Sequence, residues 1–434
     1  MKVAILGYGS QGRSALEYWQ DKAEVTVCDQ NTELQLPEGI LSKLGDDHLK
    51  DLDAFDVIVR SPIVHPRDIV AANTAAILDK VTTVTNEFLR ICPTKNVVGV
   101  TGTKGKGTTS TLITRMLEAT GKKVHLGGNI GIPPLDLLKD DIQSSDWVVL
   151  ELANFQLIDL KTSPHVAVCL MVAPEHLDWH TDTEEYFTAK KQLFAHQSQD
   201  DFAIYYGVNQ ISRNIAAASS GTRIPYLQEP GAVVTNGVIS IAGNELCRVD
   251  DLKLLGKHNW QNICAAATAV WQITQDVEAI GSAVKNFTGL PFRIELRKEV
   301  GGIKYYNDSF ATGPPATVAA INSIPGMKVM IIGGHDRHLP LDELTEVLAE
   351  HTNDIRNILL VGASAERTAQ AMRNVGLTNF TLSKATTMPQ MVADATALAQ
   401  PGDSVVLSPA FASFGLFRNF EDRGIQFNEA VEAL

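Results

Sequence analysis

The sequence predicts an α/β protein with a Rossmann-like N-terminal domain, a central domain with a phosphate loop and a mostly parallel sheet, and a Rossmann-like C-terminal domain. Two observations predict this fold class. Short runs of β-branched residues alternate with helix-forming segments, an order typical of parallel sheets covered by helices. The 434 residues also exceed what one hydrophobic core supports and suit about three domains of about 150 residues. We place the domains at residues 1–92, 93–288 and 289–434.

The composition indicates a soluble globular protein, with 44% hydrophobic and 20% charged residues. The net charge of −13 argues against sequence-independent binding to DNA or RNA, which needs a basic face. No segment approaches the ~18 apolar residues of a membrane span, and the apolar run in MKVAILGYGS is too short for a signal peptide. We therefore expect no nucleic-acid partner and no membrane span.

The cysteines suggest a reducing compartment. There are five of them, an odd number, and none forms a C-x-x-C pair. Such cysteines are typical of buried, reduced thiols, so we expect a cytoplasmic protein.

The first domain opens with a glycine-rich turn between a strand and a helix. The strand is expected at Val3–Leu6, the turn at Gly7–Gly12, the helix at Arg13–Lys22 and a second strand at Val25–Cys28, which ends in Asp29. This G-x-G-x-x-G pattern with an acid about 20 residues later is the dinucleotide fingerprint, which suggests NAD. Because a dehydrogenase also needs a substrate domain with its own acid or base, we infer only that this half binds a diphosphate.

The central domain is organised around the segment NVVGVTGTKGKGTTST, from Asn96 to Thr111. Gly102, Gly105 and Lys106 fit G-x-x-G-K-x-T, in which backbone N–H groups close around phosphate oxygens and the lysine neutralises the outer phosphates. A helix expected at Thr108–Gly121 would direct its positive end at the same anion. The alternative is a strand–turn–helix connection whose glycines only make the turn.

This loop departs from the full P-loop in two ways. Only two residues separate Gly102 from Gly105, and Gly107 occupies the position where a hydroxyl normally reaches Mg²⁺. Either Thr108 or Thr109 would supply that hydroxyl, or water would replace it.

Two candidate metal ligands follow predicted strands of the central domain. Glu151 ends the strand Trp147–Leu150, and His176 follows the strand Val166–Val172. Functional groups collect past the carboxyl ends of parallel strands, and Mg²⁺ bound to a triphosphate takes one or two protein ligands. The alternative is structural, with Glu151 as a capping carboxylate and His176 as a loop histidine.

Two further pairs remain ambiguous from composition. Lys190 and Lys191 lie on a helix expected at Glu184–His196, and composition alone predicts that both are solvated surface lysines. Asn259 and Asn262 could bind an adenine edge or cap a helix.

The third domain has polar clusters after predicted strands at Ile303–Tyr306, Val329–Ile332 and Val405–Leu407. Each cluster could be turn chemistry alone. Because parallel strands end at one edge, we prefer a binding site. The clusters are Asn307–Ser309, Gly333–Arg337 and Ser408–Ser413.

Several motifs occur in one order along all three predicted domains. They are Thr101–Thr108 (T-G-[ST]-x-G-K-[ST]-[ST]), Gly127–Gly131 (G-G-N-I-G), Glu151–Leu157 (E-L-S-S-F-Q-L), Pro174–Asp178 (E-D-H-x-D), Tyr186–Lys190 (Y-x-x-A-K), His258–Asn262 (H-N-x-x-N), Leu290–Arg293 (L-P-x-R), Asn307–Thr312 (N-D-S-x-A-T) and the C-terminal SPAFASFGLFRNFEDRG. In these motifs the chain resembles the Mur ligases of peptidoglycan synthesis, and most closely their MurD type.

The resemblance implies an ATP-dependent amide ligase that adds D-glutamate to UDP-N-acetylmuramoyl-L-alanine through an acyl phosphate, giving ADP and phosphate. It implies ATP and two Mg²⁺ ions as cofactors, small-molecule partners only, and a cytoplasmic monomer. A sibling ligase with another amino acid or a non-UDP acceptor is the nearest alternative. A nicotinamide-dependent oxidoreductase or nucleotide-binding regulator is supported only by the first-domain fingerprint and by the departures at Gly107 and Phe310.

The resemblance also implies a role for individual residues. Lys106, His176 and Lys190 would be catalytic, with Lys190 carbamylated. The ATP site would consist of Gly102, Thr103, Lys104, Gly105, Lys106, Gly107, Thr108, Thr109, Asn259, Asn262, Arg293 and Asp308. The metal ligands would be Thr108, Glu151, His176 and Lys190. The UDP substrate would contact Ser10, Gln11, Asp29, Ser61, Asn129 and Gln156. D-Glutamate would contact Thr312, Arg337, Ser413 and Phe420.

Several residues depart from the family pattern. Phe310 replaces a frequent lysine, and Ile63 replaces a glycine beside the expected uracil pocket. Ala153 and Asn154 replace two serines, and Met171 and Ala173 replace polar residues. Because the expected ligands come from all three domains, we expect closure of the C-terminal domain to assemble the site.

Overall fold

A computed structural model describes residues 1–129 and 131–434. Ile130, within the predicted G-G-N-I-G segment, lies outside the described residues. The described chain forms two compact units. The first contains Met1–Leu252 and Asn259–Asn286, and the second contains Lys253–His258 and Phe287–Leu434.

The N-terminal part of the first unit is a parallel sheet with helices. Its strands are β1 (Lys2–Leu6), β2 (Glu24–Asp29), β3 (Leu41–Leu44), β4 (Val57–Arg60) and β5 (Val81–Thr83), and its helices are α1 (Ser10–Trp19), α2 (Pro66–Ala72) and α3 (Val84–Ile91). The strand order is β3-β2-β1-β4-β5, with parallel pairing throughout. This is the order of a Rossmann half, as predicted.

The glycines of the first turn permit close packing. Gly7 has φ +84°, and a Cβ there would lie 2.9 Å from Ser61 Cβ. A Cβ on Gly12 would lie 2.0 Å from the Gly7 carbonyl oxygen. These two glycines therefore let α1 and the end of β4 pack closely on the turn, and this packing requires glycine whatever ligand is bound.

The second sheet of this unit carries the phosphate loop. Its strands are β6 (Val97–Thr101), β7 (Val124–Gly128), β8 (Trp147–Glu151), β9 (Val166–Cys169), β10 (Phe202–Tyr206) and β11 (Thr222–Tyr226). They pair in parallel in the order β11-β10-β9-β6-β8-β7. The helices are α4 (Lys106–Ala119), α5 (Asn154–Leu157), α6 (Thr183–Ala195), α7 (Gln210–Ala216), α8 (His258–Trp271) and α9 (Val277–Asn286).

A short antiparallel sheet follows in the chain. It pairs β12 (Val233–Thr235), β13 (Val238–Ile241) and β14 (Asn244–Arg248). Its inward-facing residues, Ile239 and Ile241, are buried, so it is an attached layer of the first unit.

The second unit is also α/β. Its strands are β15 (Glu295–Val300), β16 (Ile303–Asn307), β17 (Lys328–Gly333), β18 (Ile355–Val361), β19 (Phe380–Leu382) and β20 (Ser404–Leu407), and its helices are α10 (Pro314–Ser323), α11 (Asp342–Glu350), α12 (Ala365–Asn374), α13 (Met388–Leu398) and α14 (Phe420–Glu432). The strand order is β15-β16-β20-β17-β18-β19, with β15 antiparallel to β16. Polar loops follow β16, β17 and β20 at one edge, as the sequence predicts.

The predicted fold class is confirmed, and most predicted strands and helices agree within a few residues. The strand predicted to reach Val172 ends at Cys169. The domain boundaries stay a prediction, because contacts group the first two sheets in one unit. A continuous core explains this grouping, since it contains Val3 and Phe88 from one sheet layer and Leu150 and Leu193 from the other.

Two expectations from composition concern cysteines and the membrane. All five cysteines lie in the described residues as free thiols, and only Cys92 is not fully buried. Within residues 1–129 and 131–434, no helix combines the length and apolar character needed to cross a membrane.

Candidate active site around the phosphate loop

The phosphate loop lies between β6 and α4 and packs tightly on the segment after β9. Gly102 has φ +152°, and a Cβ there would lie 2.6 Å from Leu170 Cβ. The Thr103 N–H donates to the Met171 carbonyl oxygen at 2.9 Å. Lys106 Nζ donates back to the carbonyl oxygens of Gly102 and Thr103 at 3.1 and 3.0 Å. The lysine therefore lies over the loop, beside the N-terminus of α4, where an anion would be bound.

One of the two predicted asparagines, Asn262, packs against this loop, and the other contacts Asn262. Gly105 has φ +89°, and a Cβ there would lie 2.3 Å from Asn262 Oδ1. Asn262 Nδ2 donates to Asn259 Oδ1 at 2.8 Å, and Thr109 Oγ1 donates to Asn262 Oδ1 at 3.4 Å. Both asparagines are buried. Asn262 contacts the loop directly and Asn259 contacts it through Asn262, so an adenine-binding role for the pair stays a prediction.

Tyr186 connects several predicted site residues, although the sequence analysis names it only as part of the Y-x-x-A-K motif. Its hydroxyl lies 3.0 Å from Thr103 Oγ1, which itself accepts from the Ala173 N–H at 3.0 Å. Lys190 Nζ lies 4.6 Å from the centre of the Tyr186 ring. The His176 ring lies 6.5 Å away, centre to centre. The buried ring is thus a common support for the loop, Lys190 and His176.

Lys190 is buried, with 1% of its surface exposed, whereas the side chain of Lys191 is 35% exposed. The expectation from composition is therefore wrong for Lys190. Its Nζ contacts Gly102 O at 3.2 Å and Thr101 Oγ1 at 3.4 Å. Burial, and secondarily the positive charge of Lys106, lower the pKa of Lys190 to about 7. A substantial fraction of this amine is therefore neutral at neutral pH.

Glu151 lies where it was predicted, at the carboxyl end of β8. Its backbone pairs with β6 and β7, next to the strand that leads into the loop. Its side chain is buried and Oε1 accepts from Asn129 Nδ2 at 3.4 Å. A Cβ on Gly128 would lie 2.1 Å from the Glu151 carbonyl oxygen. The G-G segment therefore brings β7 against this acidic residue.

His176 is more exposed than the other predicted ligands. It adopts φ +58°, its side chain is 39% exposed, and its Nε2 lies 3.6 Å from a Glu175 oxygen. The Phe155 ring contacts it at 4.8 Å. The left-handed backbone and the aromatic contact hold the imidazole in a defined position at the end of the segment after β9.

The donor set agrees with hard-cation chemistry in part. The Glu151 carboxylate and the hydroxyl of Thr108, buried on the first turn of α4, are oxygen ligands of the kind that Mg²⁺ prefers. Lys190 does not fit as an ammonium, because a cation beside Lys106 would repel a metal. It fits only after conversion to an anionic oxygen ligand.

A second cluster, which the sequence did not indicate, joins His65, His180 and Glu185. One possible ligand atom from each lies within 4.8 Å of the others. However, His65 Nδ1 accepts from the Arg67 N–H at 3.1 Å, so neutral His65 carries its proton on Nε2, which faces Glu185 at 3.5 Å. A metal at Nε2 would break this helix cap. The cluster is better described as two imidazoles around one carboxylate.

In the first-domain turn, Asp29 uses its carboxylate internally. It accepts from the N–H groups of Tyr8 at 2.7 Å and Asn31 at 2.9 Å. Any ribose that Asp29 contacts would therefore have to share the carboxylate with these two N–H groups. Gln11 is buried on the first turn of α1 with no hydrogen-bond partner for its Oε1, and Ser61 lies opposite Gly7. Ser10 is exposed at the start of α1.

The two residues predicted along the substrate arm differ in access. Asn129 is exposed. Gln156 is fully buried, and its Oε1 accepts from the Ala153 N–H while Nε2 donates to Thr85 Oγ1. A substrate contact at Gln156 would have to exchange one of these bonds.

In the second unit, Asp308 is buried after β16. It accepts from Ser408 Oγ at 2.7 Å and from the Ile294 N–H at 3.1 Å. Burial raises the pKa of Asp308 to about 7, opposed by these bonds and by the nearby Arg293 and Arg423. Arg293 also lies over the Phe310 ring at 5.6 Å. A buried carboxyl with a raised pKa is a candidate functional group.

The predicted amino-acid residues share this unit. Arg337 is exposed, and its guanidinium donates to the Thr312 carbonyl oxygen at 2.5 Å. Phe420 meets Phe310 edge to face at 5.2 Å. Ser413 is buried after β20. Phe310 thus continues an aromatic surface instead of providing a charge.

Comparison with known proteins is consistent with this arrangement. Residues 100–270 match the Mur ligase middle domain, and residues 292–411 match the Mur ligase glutamate ligase domain. The chain is 35% identical to the UDP-N-acetylmuramoylalanine--D-glutamate ligase of Acetivibrio thermocellus, over 100% of this chain and 96% of that protein. It is 34% identical to the protein of that name from Clostridium acetobutylicum, over the same shares of both chains.

A solved structure confirms the fold. The MurF ligase of Thermotoga maritima in complex with ADP superposes with a TM-score of 0.60, at 18% identity, over 99% of this chain and 95% of that chain. The resemblance predicted from the ordered motifs is therefore confirmed. Identity at this level along the full chain, with both matched domains in the expected order, shows that the chain belongs to the Mur ligase family, among the relatives named UDP-N-acetylmuramoylalanine--D-glutamate ligases.

Proposed function

We propose that this protein is an ATP-dependent ligase that joins D-glutamate to UDP-N-acetylmuramoyl-L-alanine in peptidoglycan precursor synthesis. The observation that carries the proposal is the phosphate loop with Lys106 folded over it and the buried amine of Lys190 at its base. Lys106 over the loop N–H groups suits a ligand with several negative charges, Lys190 lies where it could become an anionic metal ligand, and the relatives' printed name supplies the substrates.

The reaction must convert a carboxylate, which is a poor electrophile, into an amide. A carboxylate oxygen of the acceptor attacks the γ-phosphorus of ATP, the bond to the β-phosphate bridge oxygen breaks, and ADP leaves. The amine of D-glutamate then attacks the carbonyl carbon of the acyl phosphate, loses a proton, and phosphate leaves. Lys106 and the loop N–H groups stabilise the charge that develops on the transferred group.

Two Mg²⁺ ions would be held at this loop, where they would supply positive charge that reduces the repulsion between the attacking carboxylate and the phosphates. Thr108 and Glu151 would hold one ion, and His176 and a carbamylated Lys190 the other. The neutral fraction of the Lys190 amine is the form that adds to CO₂, giving a carbamate and releasing a proton. Carbamylation resolves the misfit of a buried ammonium next to Lys106.

The carbamate can be tested with ¹³C-labelled bicarbonate. We expect a carbamate resonance in the wild-type protein, in the absence of nucleotide, and its loss in Lys190→Ala. Lys191→Ala is the matched control, because the adjacent lysine is partly exposed and should leave the resonance unchanged. A resonance that survives in Lys190→Ala would exclude this modification.

The remaining substrates have candidate sites in both units. Gln11, with its unpartnered Oε1, and Ser61 would contact the UDP group together with Ser10 and Asp29. In the second unit Arg293 and Asp308 would contact ATP, while Arg337 would bind a carboxylate of the amino acid in bidentate fashion. Thr312, Ser413 and Phe420 would complete that contact.

The activity is tested by phosphate release with UDP-N-acetylmuramoyl-L-alanine, ATP, Mg²⁺ and a panel of amino acids. We expect release with D-glutamate and not with L-glutamate, L-lysine or diaminopimelate. Release with another amino acid would show a sibling ligase, and ATP-independent turnover with a nicotinamide cofactor would overturn the ligase. The free thiols agree with a cytoplasmic location, and a monomer is expected in solution.

A further inference from the structure

Arg337 lies in a short turn that is held by groups inside the turn and by an arginine from another helix. We define the Arg337 turn as residues 335–339, which follow β17. Arg337 is exposed, and an exposed arginine on a free loop would lose much side-chain and backbone entropy on binding a ligand. The turn must therefore be held in one conformation if Arg337 is to present its guanidinium in one position.

Asp336 fixes the turn from inside. Its Oδ1 accepts from the His338 N–H at 2.8 Å, which closes an Asx turn across Arg337, and His338 adopts φ +57°. The bridge between His335 and Ala412, with the His335 N–H donating at 2.8 Å, anchors the start of the turn.

Arg367, on α12, fixes the turn from outside. Its Nε donates to Asp336 Oδ2 at 2.6 Å and its NH2 to Asp336 Oδ1 at 2.7 Å, which is a bidentate pair. The same guanidinium donates to the Leu339 carbonyl oxygen at 3.2 Å. Arg367 therefore holds the turn on both sides of Arg337.

The ion pair between Asp336 and Arg367 also keeps the Asp336 carboxylate from pairing with Arg337. Asp336 precedes Arg337 in the chain, and its principal partner is Arg367. The hydrogen bonds from Arg367 lower the pKa of Asp336. Without Arg367, the Asp336 carboxylate would be available to pair with Arg337 and would repel an incoming dicarboxylate. Arg367 thus does two things for the site, since it fixes the turn and neutralises a competing anion.

We propose that Arg367 and Asp336 are positioning residues for the amino-acid substrate, which keep Arg337 available for a carboxylate of the incoming amino acid. This inference rests on the proposed function and names a device of the same site that the sequence motifs do not indicate. Neither side chain needs to touch the substrate.

Steady-state kinetics on the full-length protein test the proposal. Arg367→Ala is expected to raise KM for D-glutamate about tenfold or more, with KM for ATP and for the UDP substrate unchanged within about twofold. Arg373→Ala is the matched control. It lies on the same helix, near Glu366 and Phe380, and should leave every KM unchanged.

The double variant separates charge from structure. In Arg367→Ala/Asp336→Asn the competing carboxylate is removed, while the Asn oxygen can still close the Asx turn. We expect KM for D-glutamate to return to within about threefold of Asp336→Asn alone. The proposal is overturned if KM for D-glutamate in the double variant is no lower than in Arg367→Ala. It is also overturned if Arg367→Ala lowers kcat instead of raising KM for D-glutamate, or if its KM values match those of Arg373→Ala.

Failure of the proposed function is a separate outcome. If wild-type protein releases phosphate only with another amino acid, the D-glutamate assignment is wrong, and the same variants are then judged with that amino acid. Rescue by Asp336→Asn would still support the positioning role, and absence of rescue would still overturn it.

Discussion

Arg60 joins the first two sheet layers, and replacing it gives a prediction whose size follows from its contacts. Arg60 is almost fully buried at the end of β4. Its Nε and NH2 donate to Asp159 at 2.9 and 2.6 Å. Further donation goes to the carbonyl oxygens of Ser61, Pro62, Val64 and Phe155, at distances of 2.9 to 3.3 Å. One guanidinium therefore supports the loop that contains Ser61.

Arg60→Met keeps the apolar stem and removes these donors. Breaking a buried ion pair by removing one partner costs about 3–5 kcal/mol, because the other charge is left without compensation. The Asp159 side chain is 22% exposed, so water can reach it, and we expect about 3 kcal/mol. Removing the carboxylate as well, in Arg60→Met/Asp159→Leu, should restore part of this loss.

Urea unfolding followed by tryptophan fluorescence measures the effect, since all five tryptophans lie in the first compact unit and the second unit does not contribute. Arg115→Met is the control. Its ion pair with Glu118 is exposed and is worth about 0.5 kcal/mol or less. A loss in Arg60→Met no larger than in Arg115→Met would refute the reasoning, and so would a double variant less stable than the single one.

Three further predictions concern the loop and pH. Gly105→Ala should abolish ATP turnover, measured by phosphate release, because its Cβ would lie 2.3 Å from Asn262 Oδ1. The control is Gly121→Ala, which has a similar positive φ but open space around the Cβ. It should lose only about 1 kcal/mol of stability in thermal unfolding. Burial lowers the pKa of His65 below 6.5, so the unfolded state binds protons more readily and the first unit should lose stability as pH falls below about 6.5. In His65→Asn, which keeps a helix cap, the free energy of unfolding in urea should fall below that of wild type by less at pH 5.5 than at pH 7.5. The pKa of Asp308 is raised from 3.8 to about 7, so the second unit should lose stability as pH rises through that window. In calorimetry, the stability of Asp308→Asn should depend less on pH over this window. The same pH dependence in the variant and in wild type would contradict the burial argument.

The fold and the phosphate loop could be predicted because their signals are local. Strand, glycines, lysine and helix occur within one short segment, and the conformation of Gly102 and Gly105 depends mainly on backbone sterics. The expectation from composition for Lys190 failed, because burial depends on the tertiary structure. Lys190 and Lys191 are neighbours of the same type, yet one is buried at the loop and the other is partly exposed, because α6 turns only one face to β6.

Asp29 and Gln156 show what motif positions leave open. The ligand contacts that the resemblance implies for both stay predictions, and the structure adds their protein partners, since Asp29 holds two backbone N–H groups and Gln156 is fully buried with both side-chain ends engaged. Sequence spacing indicates that a residue lies near a site, whereas its partners depend on how neighbouring loops fold.

The sequence by itself determined the α/β class, the phosphate loop and the family, because these depend on periodicity and on ordered motifs that survive in a linear chain. Only the tertiary structure decided which lysine is buried, that two histidines share Glu185, and that Arg367 holds Asp336 from 31 residues away. The physical reason is that desolvation and ion pairing act between groups distant in sequence, and their energies appear only when the fold brings those groups into contact.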